Sequence, residues 1–261
     1  MYAFTHHAAT SVADAVKSVG EGKFLAGGHT LIPTMKQRLA QPGHLVDLGK
    51  VADLKGISDN GSVLTIKAMS THGEVAGSDV VKKAIAGLAE LAGGIGDPQV
   101  RHRGTIGGSV ANNDPVADYP AALLALGATV VTDRRKIAAD DFFQGLFTTA
   151  LEDNELIIAV EFPHAEKFAY AKFRNPASRY ALVGVAVAKR GPSVRVAVTG
   201  AGSDGVFRWT EAETKLSANF SVGALDGLKV AASGLNGDIH GSADYRAHLI
   251  GVMARRAVAA A

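Results

Sequence analysis

Apolar and polar positions alternate along this chain in short, distinct registers. Ser11-Val12-Ala13-Asp14 reads as a capping box that opens a short helix reaching about Val19, and Gly20-Glu21-Gly22 stops it. Lys23-Phe24-Leu25-Ala26 is a short apolar strand, and Leu31 to Leu39 has helical spacing. Leu45 to Leu48 and the alternating Ser62 to Ala68 read as strands. From Ser78 to Ala92 the spacing predicts one helix with Val81, Ile85, Leu88 and Leu91 on one face, ended by Gly93-Gly94. Asp118-Tyr119-Pro120 reads as an N-cap opening an apolar helix through Leu126. Ala128 to Val131 and Glu155 to Val160 are further strands.

A boundary falls near Pro163-His164-Ala165-Glu166. Beyond it, Tyr180 to Ala188 and Val194 to Thr199 are strands joined by Lys189-Arg190-Gly191-Pro192 as a hairpin loop. Helical stretches at Val222 to Ser233 and Asp244 to Ala260 close the chain, with Ala257 to Ala261 as a fraying end.

Composition narrows the classes. The 261 residues are 47% hydrophobic, enough for a sizeable core in one or two domains. Net charge is +2 and basic runs are no longer than Arg134-Arg135-Lys136, which argues against nucleic-acid binding. The chain has no cysteine, so it can hold neither a disulfide nor a cysteine-ligated iron–sulfur cluster. The nine histidines make no metal signature. Met1 to His7 lacks a charged segment followed by an apolar run, and no apolar run is long enough to span a bilayer. The expectation is a cytoplasmic protein.

The candidate chemistry lies in two glycine-rich loops, Ala26-Gly27-Gly28-His29-Thr30 and Gly104-Thr105-Ile106-Gly107-Gly108-Ser109. Glycine allows positive φ and close backbone approach, and successive N–H groups then form a nest for an anion. A Gly-Gly pair by itself is more often a tight turn than a phosphate site. Two such pairs, each beside a hydroxyl residue, favour a long anionic ligand such as a dinucleotide. The P-loop pattern is missing, because Gly22-Lys23 is followed by Phe24. Gly-Gly-His-Thr does not supply the G-x-G-x-x-G of a Rossmann turn either.

These residues resemble a family. Ala26-Gly27-Gly28-His29-Thr30-Leu31-Ile32-Pro33, followed by Lys36 and Arg38-Leu39-Ala40, is similar to the first FAD-pyrophosphate loop of molybdenum hydroxylase flavoprotein subunits. Ile95-Gly96-Asp97-Pro98-Gln99-Val100-Arg101, running into the second glycine loop and on to Asp114-Pro115-Val116-Ala117-Asp118-Tyr119-Pro120, looks like that family's second FAD motif. Ser178-Arg179-Tyr180-Ala181-Leu182-Val183 resembles the start of its C-terminal domain. The resemblance covers essentially the whole chain, above all to medium subunits of aerobic carbon monoxide dehydrogenases.

The resemblance implies an α+β fold. Residues 1–165 would form an FAD domain of the vanillyl-alcohol-oxidase (PCMH-like) type, with subdomains of about 1–55 and 56–165. Residues 166–261 would form a small domain of antiparallel sheet and helices. It also implies site residues. Ala26, Gly27, Gly28, His29, Thr30 and Leu31 would cradle the pyrophosphate. Thr105, Gly107, Gly108 and Ser109 would add hydroxyl and backbone contacts, with Asp114 in the same motif. Asp118 would meet the ribityl or ribose hydroxyls, act as a helix N-cap, or do both. Leu182 and Val183 would line the flavin or adenine. Tyr180 is either a neighbour of the isoalloxazine ring or a core tyrosine on a strand. Arg101, His102 and Arg103 either neutralise phosphate or are solvated.

The implied task is electron transfer. A small partner subunit would carry [2Fe–2S] clusters and a large one the molybdenum cofactor, in a dimer of heterotrimers. Electrons would leave through FAD to a quinone, NAD or oxygen. The complex would be cytoplasmic or held at the inner face of the membrane. A stand-alone FAD oxidoreductase and a non-enzymatic ligand-binding module remain the alternatives.

Overall fold

The computed structural model describes all 261 residues. The first sheet is parallel: β1 (Thr5–Ala8), β2 (Lys23–Leu25) and β3 (His44–Asp47) in the order β1-β3-β2. Helix α1 (Val12–Val19) links β1 to β2, and α2 (Leu31–Lys36) lies between β2 and β3. Ser11 caps α1 by accepting from the Asp14 N–H. The reciprocal arm differs from a capping box, because Asp14 accepts from the Thr10 N–H instead. Ala15, Val19, Val46 and Leu54 form the core beneath this sheet.

The second sheet starts with β4 (Ile57–Asp59) and β5 (Val63–Lys67). A run of short helices follows: α3 (His72–Gly77), α4 (Asp79–Ala84), α5 (Ala86–Gly93), α6 (Pro98–Arg103), α7 (Ile106–Asn112) and α8 (Tyr119–Leu126). The single helix expected from Ser78 to Ala92 is two helices. Ile85 breaks it at φ −147°, ψ 79°, and the break leaves Val81, Ile85, Leu88 and Leu91 all in one core. Strands β6 (Thr129–Thr132) and β7 (Lys136–Ala138), helix α9 (Ala139–Phe142) and the hairpin β8 (Phe143–Gly145) with β9 (Thr148–Thr149) come next. The long strand β10 (Ile157–Pro163) completes an antiparallel sheet ordered β4-β5-β10-β6-β7.

The third sheet is antiparallel: β11 (Lys167–Arg174), β12 (Ala181–Arg190), β13 (Ser193–Thr199) and β14 (Phe207–Arg208), in chain order. Its central strand is buried on both faces, and the strand period assigns the faces. Val183, Val185 and Val187 pack with Leu216 of helix α10 (Thr210–Ala218) and Leu249 and Met253 of helix α11 (Ala243–Ala260). Ala186 and Ala188 join the other core, with Leu123 of α8. Large side chains on one face and small ones on the other let α8 approach the sheet closely. No helix is long and apolar enough to cross a membrane.

Two expected elements near the end differ. Val222 to Ser233 is not a helix. A 3₁₀ turn at Val222–Leu225 is followed by irregular chain, and Gly227 at φ +77° turns it away. The alanine tail is helical to Ala260, and Ala257 and Val258 are buried in the core beneath the sheet.

Candidate functional site

Strand β2 delivers the first glycine loop to a cleft of about 840 Å³. That lies within the roughly 300–1,000 Å³ usual for small-molecule and cofactor sites. Gly28 sits at φ +75°, a conformation that suits glycine. The Thr30 side chain makes no cap to α2. The backbone N–H groups from Ala26 to Leu31 donate to nothing within the chain. Such a run of unsatisfied donors on a cleft wall is the donor set an anion such as a pyrophosphate requires.

The second glycine segment plays a different part. It is the start of α7 rather than a loop. Thr105 is the N-cap, and its Oγ1 accepts from the Gly108 N–H. The Ile106 N–H donates to Ser70, the Gly107 N–H to Ala68 and the Ser109 N–H to Thr105. The backbone contacts expected from Gly107, Gly108 and Ser109 are therefore corrected: those N–H groups are already used by the fold. A Cβ on Gly107 would lie 2.6 Å from the Ala68 Cβ and 2.8 Å from its carbonyl oxygen, so Gly107 serves packing. A Cβ on Gly108 would meet the Thr105 Oγ1 at 3.0 Å and the Ala26 Cβ at 3.6 Å. Gly108 thus faces the first loop across the cleft.

Pro98–Arg103, which carry little apolar periodicity, form helix α6, capped by Asp97 with Pro98 in its first turn. His29 reaches this helix, its Nε2 lying 3.2 Å from the Gln99 carbonyl oxygen. The Arg101 guanidinium turns back onto the carbonyls of Ile95 and Gly96. His102 and Arg103 are exposed.

Asp118 lies on the cleft wall with its side chain 5% exposed. It holds the N-cap position of α8, as expected, but its backbone is already helical and its side chain makes no cap hydrogen bond. The carboxylate instead accepts from the Tyr170 hydroxyl at 2.5 Å and from the Lys172 ammonium at 2.9 Å. Burial pushes its carboxyl above the ordinary range, and the Lys172 charge and the Tyr170 hydroxyl oppose that rise. Asp114 closes a turn, its Oδ1 accepting from the Val116 N–H at 3.0 Å.

Ala26 to Leu31, Thr105, Gly107, Gly108, Ser109, Asp114, Asp118 and Tyr180 all border this one cleft. Leu182 and Val183 do not. They are buried under α11 in the core of the third sheet, because they are among the first residues of a doubly covered strand. Tyr180 is half-buried at the cleft edge, ahead of the strand, and its hydroxyl accepts from the Asn175 Nδ2 at 2.8 Å. It is not a core tyrosine.

The sequence pattern did not single out His72, Tyr170 or Lys172. His72 borders the cleft, and burial, with the nearby His29 and Arg101, holds its imidazole down at about 4. Its Nδ1 has no partner. Nothing in the local pattern marks these residues, since their meaning depends on contacts distant in sequence.

A glycine-walled cleft with free N–H groups on one side and a buried carboxylate on another defines a protein that holds an extended anionic cofactor. The chain belongs to the FAD-binding subunits of molybdenum hydroxylases, of the carbon monoxide dehydrogenase medium-chain type. Residues 2–165 match the family described as the FAD binding domain in molybdopterin dehydrogenase. The carbon monoxide dehydrogenase medium chain of Hydrogenophaga pseudoflava is 36% identical, over 99% of this chain and 96% of that one. The nicotine 6-hydroxylase medium subunit of Paenarthrobacter nicotinovorans is 35% identical over 94% and 91% of the two chains. Reconstituted CO dehydrogenase from Oligotropha carboxidovorans superposes with a TM-score of 0.91 at 36% identity, covering 100% of this chain and 99% of that one.

Proposed function

We propose that this chain binds FAD in the cleft and relays electrons from [2Fe–2S] clusters of a small partner subunit to an external acceptor. The oxidised substrate would meet a molybdenum cofactor in a large partner subunit, within a dimer of heterotrimers in the cytoplasm. Residues 1–165 would hold the cofactor, and 166–261 would buttress it. The observation that carries this reading is the run of unpaired N–H groups from Ala26 to Leu31 facing a cleft of cofactor size.

The residues present fit the group. The Ala26–Leu31 backbone would hold the pyrophosphate, the Thr105 and Ser109 side chains would add hydroxyl contacts, and Asp118 would accept from sugar or ribityl hydroxyls. FAD supplies one- and two-electron redox chemistry when bound. The chain's own part is to fix the cofactor and shield it. None of these residues is a cysteine, which agrees with clusters held by a partner subunit.

Turnover assays test the subunit reading. The purified chain, loaded with FAD and offered a small organic substrate with an artificial acceptor, is expected to be inactive alone. It is expected to accept electrons when mixed with its cluster-bearing partner in the reduced state. Strong oxidation of an organic substrate by the isolated chain would sink the subunit reading in favour of a stand-alone oxidoreductase.

A further inference from the structure

Behind the Asp118 wall of the cleft lies a polar cluster that cofactor binding does not by itself require. Tyr170 and Lys172 stand two residues apart on β11, so their side chains leave the same face of the strand. Lys172 pairs in register with Gly184 on β12. A Cβ on Gly184 would overlap the Tyr170 hydroxyl, so the tyrosine fills the space where a side chain on that central strand would stand. Glycine inside a strand weakens it unless something approaches closely, and here the hydroxyl does.

Both side chains converge on Asp118. The Tyr170 hydroxyl donates to Oδ1, and the Lys172 Nζ lies 2.9 Å from Oδ1 and 3.0 Å from Oδ2. Lys172 also donates to the Gly94 carbonyl at 3.0 Å, just past the end of α5. The cluster therefore ties the third sheet and the end of α5 to the start of α8. Its one member on the cleft wall is Asp118. A buried ion pair is a weak source of stability, and packed apolar residues commonly serve as well. An ionised carboxylate has about four lone-pair sites. Tyr170 and Lys172 leave it with acceptor capacity.

We propose that Tyr170 and Lys172 are positioning residues, which lock the Asp118 carboxylate in one orientation with its free lone pairs presented to hydroxyl groups of the bound cofactor. The inference rests on the cleft being the FAD site. Gly184 belongs to the device, because any side chain there would drive the Tyr170 hydroxyl from its place.

The test is an FAD titration of the full-length chain, followed by flavin fluorescence, with thermal unfolding of the FAD-free protein measured in parallel. Lys172→Met and Tyr170→Phe are each expected to weaken FAD by about tenfold, the loss of one charge-assisted hydrogen bond's effect. Asp118→Asn is expected to weaken it at least as much. Asp118→Asn combined with Lys172→Met is expected to bind no worse than Asp118→Asn alone, since the ammonium then has no carboxylate to orient. The visible circular dichroism of bound flavin is expected to change in Tyr170→Phe. If Lys172→Met fails to fold, Tyr170→Phe, which removes one oxygen atom, carries the test. A wild-type chain that takes up no FAD overturns the reading of the cleft. A wild type that binds FAD, beside variants that bind it equally well or lose affinity only in step with thermal stability, overturns this inference alone. So does an undiminished Lys172→Met effect in the Asp118→Asn background.

Discussion

Gly27 lies directly against the backbone of Arg103: a Cβ on Gly27 would overlap the Arg103 carbonyl oxygen, with the Gly104 Cα 2.9 Å away. The first glycine loop and the end of α6 thus touch backbone to backbone, far apart in sequence. Gly27→Ala must push them apart. Overpacking of this kind costs about 1–3 kcal/mol. The expected outcome is a lower melting temperature together with lost FAD after desalting, read by differential scanning calorimetry and by absorbance.

Gly107 and Gly108 are neighbours with opposite expectations. A side chain on Gly107 meets Ala68, where the nearest atoms include backbone. Gly107→Val is expected to destabilise the fold by about 1–3 kcal/mol, whatever happens to FAD. Gly108 faces the cleft, so Gly108→Leu is expected to abolish FAD retention with little change in melting temperature. Thermal unfolding and flavin content, measured on both variants, separate the two. Equal FAD content in Gly108→Leu and wild type would remove this residue from the site.

Glu155 gives the chain an acid-sensitive contact. Its side chain is fully buried, and the Arg135 guanidinium, the Glu152 N–H and the Thr132 hydroxyl hold its carboxyl down from 4.5 to about 2. A depressed carboxyl contributes stability that is present above pH 4.5 and lost as pH falls toward 2. Arg135 is partly exposed, which weakens the pair. Glu155→Gln is expected to cost about 2 kcal/mol at neutral pH and to flatten the stability profile in that window. Urea unfolding from pH 7 to pH 2.5 checks it.

His72 acts in a higher window. Its ring is neutral in the fold, with burial lowering it from 6.5 to about 4. The unfolded chain binds a proton between those values and the folded chain does not, so stability present above pH 6.5 is lost as pH falls toward 4. The expected size is up to about 3 kcal/mol. Histidine NMR of the folded chain is expected to show one imidazole that stays neutral at pH 5. A His72 signal that titrates near its ordinary value would refute the burial argument.

Much of the fold was legible in local pattern. The strand at Val63–Lys67, the capped helix at Val12–Val19 and the hairpin around Gly191 follow from period and turn chemistry. Ile85 breaks a helix that the spacing joins, because its core contacts outweigh its local preference. The strand Lys167–Arg174 and the helix Thr210–Ala218 carry weak periodicity and were invisible. At the site, motif residues led to the cleft, but not to how each works there. Gly107 packs on Ala68, and Leu182 and Val183 lie in the core. Lys172 and Tyr170 act across more than fifty positions of sequence, which no local window senses.

The visible absorption spectrum of the purified chain, before and after FAD is added and the excess removed, tests the central claim most directly. The account predicts twin flavin bands at one FAD per chain. A folded chain that stays colourless and retains none of the added FAD would contradict it.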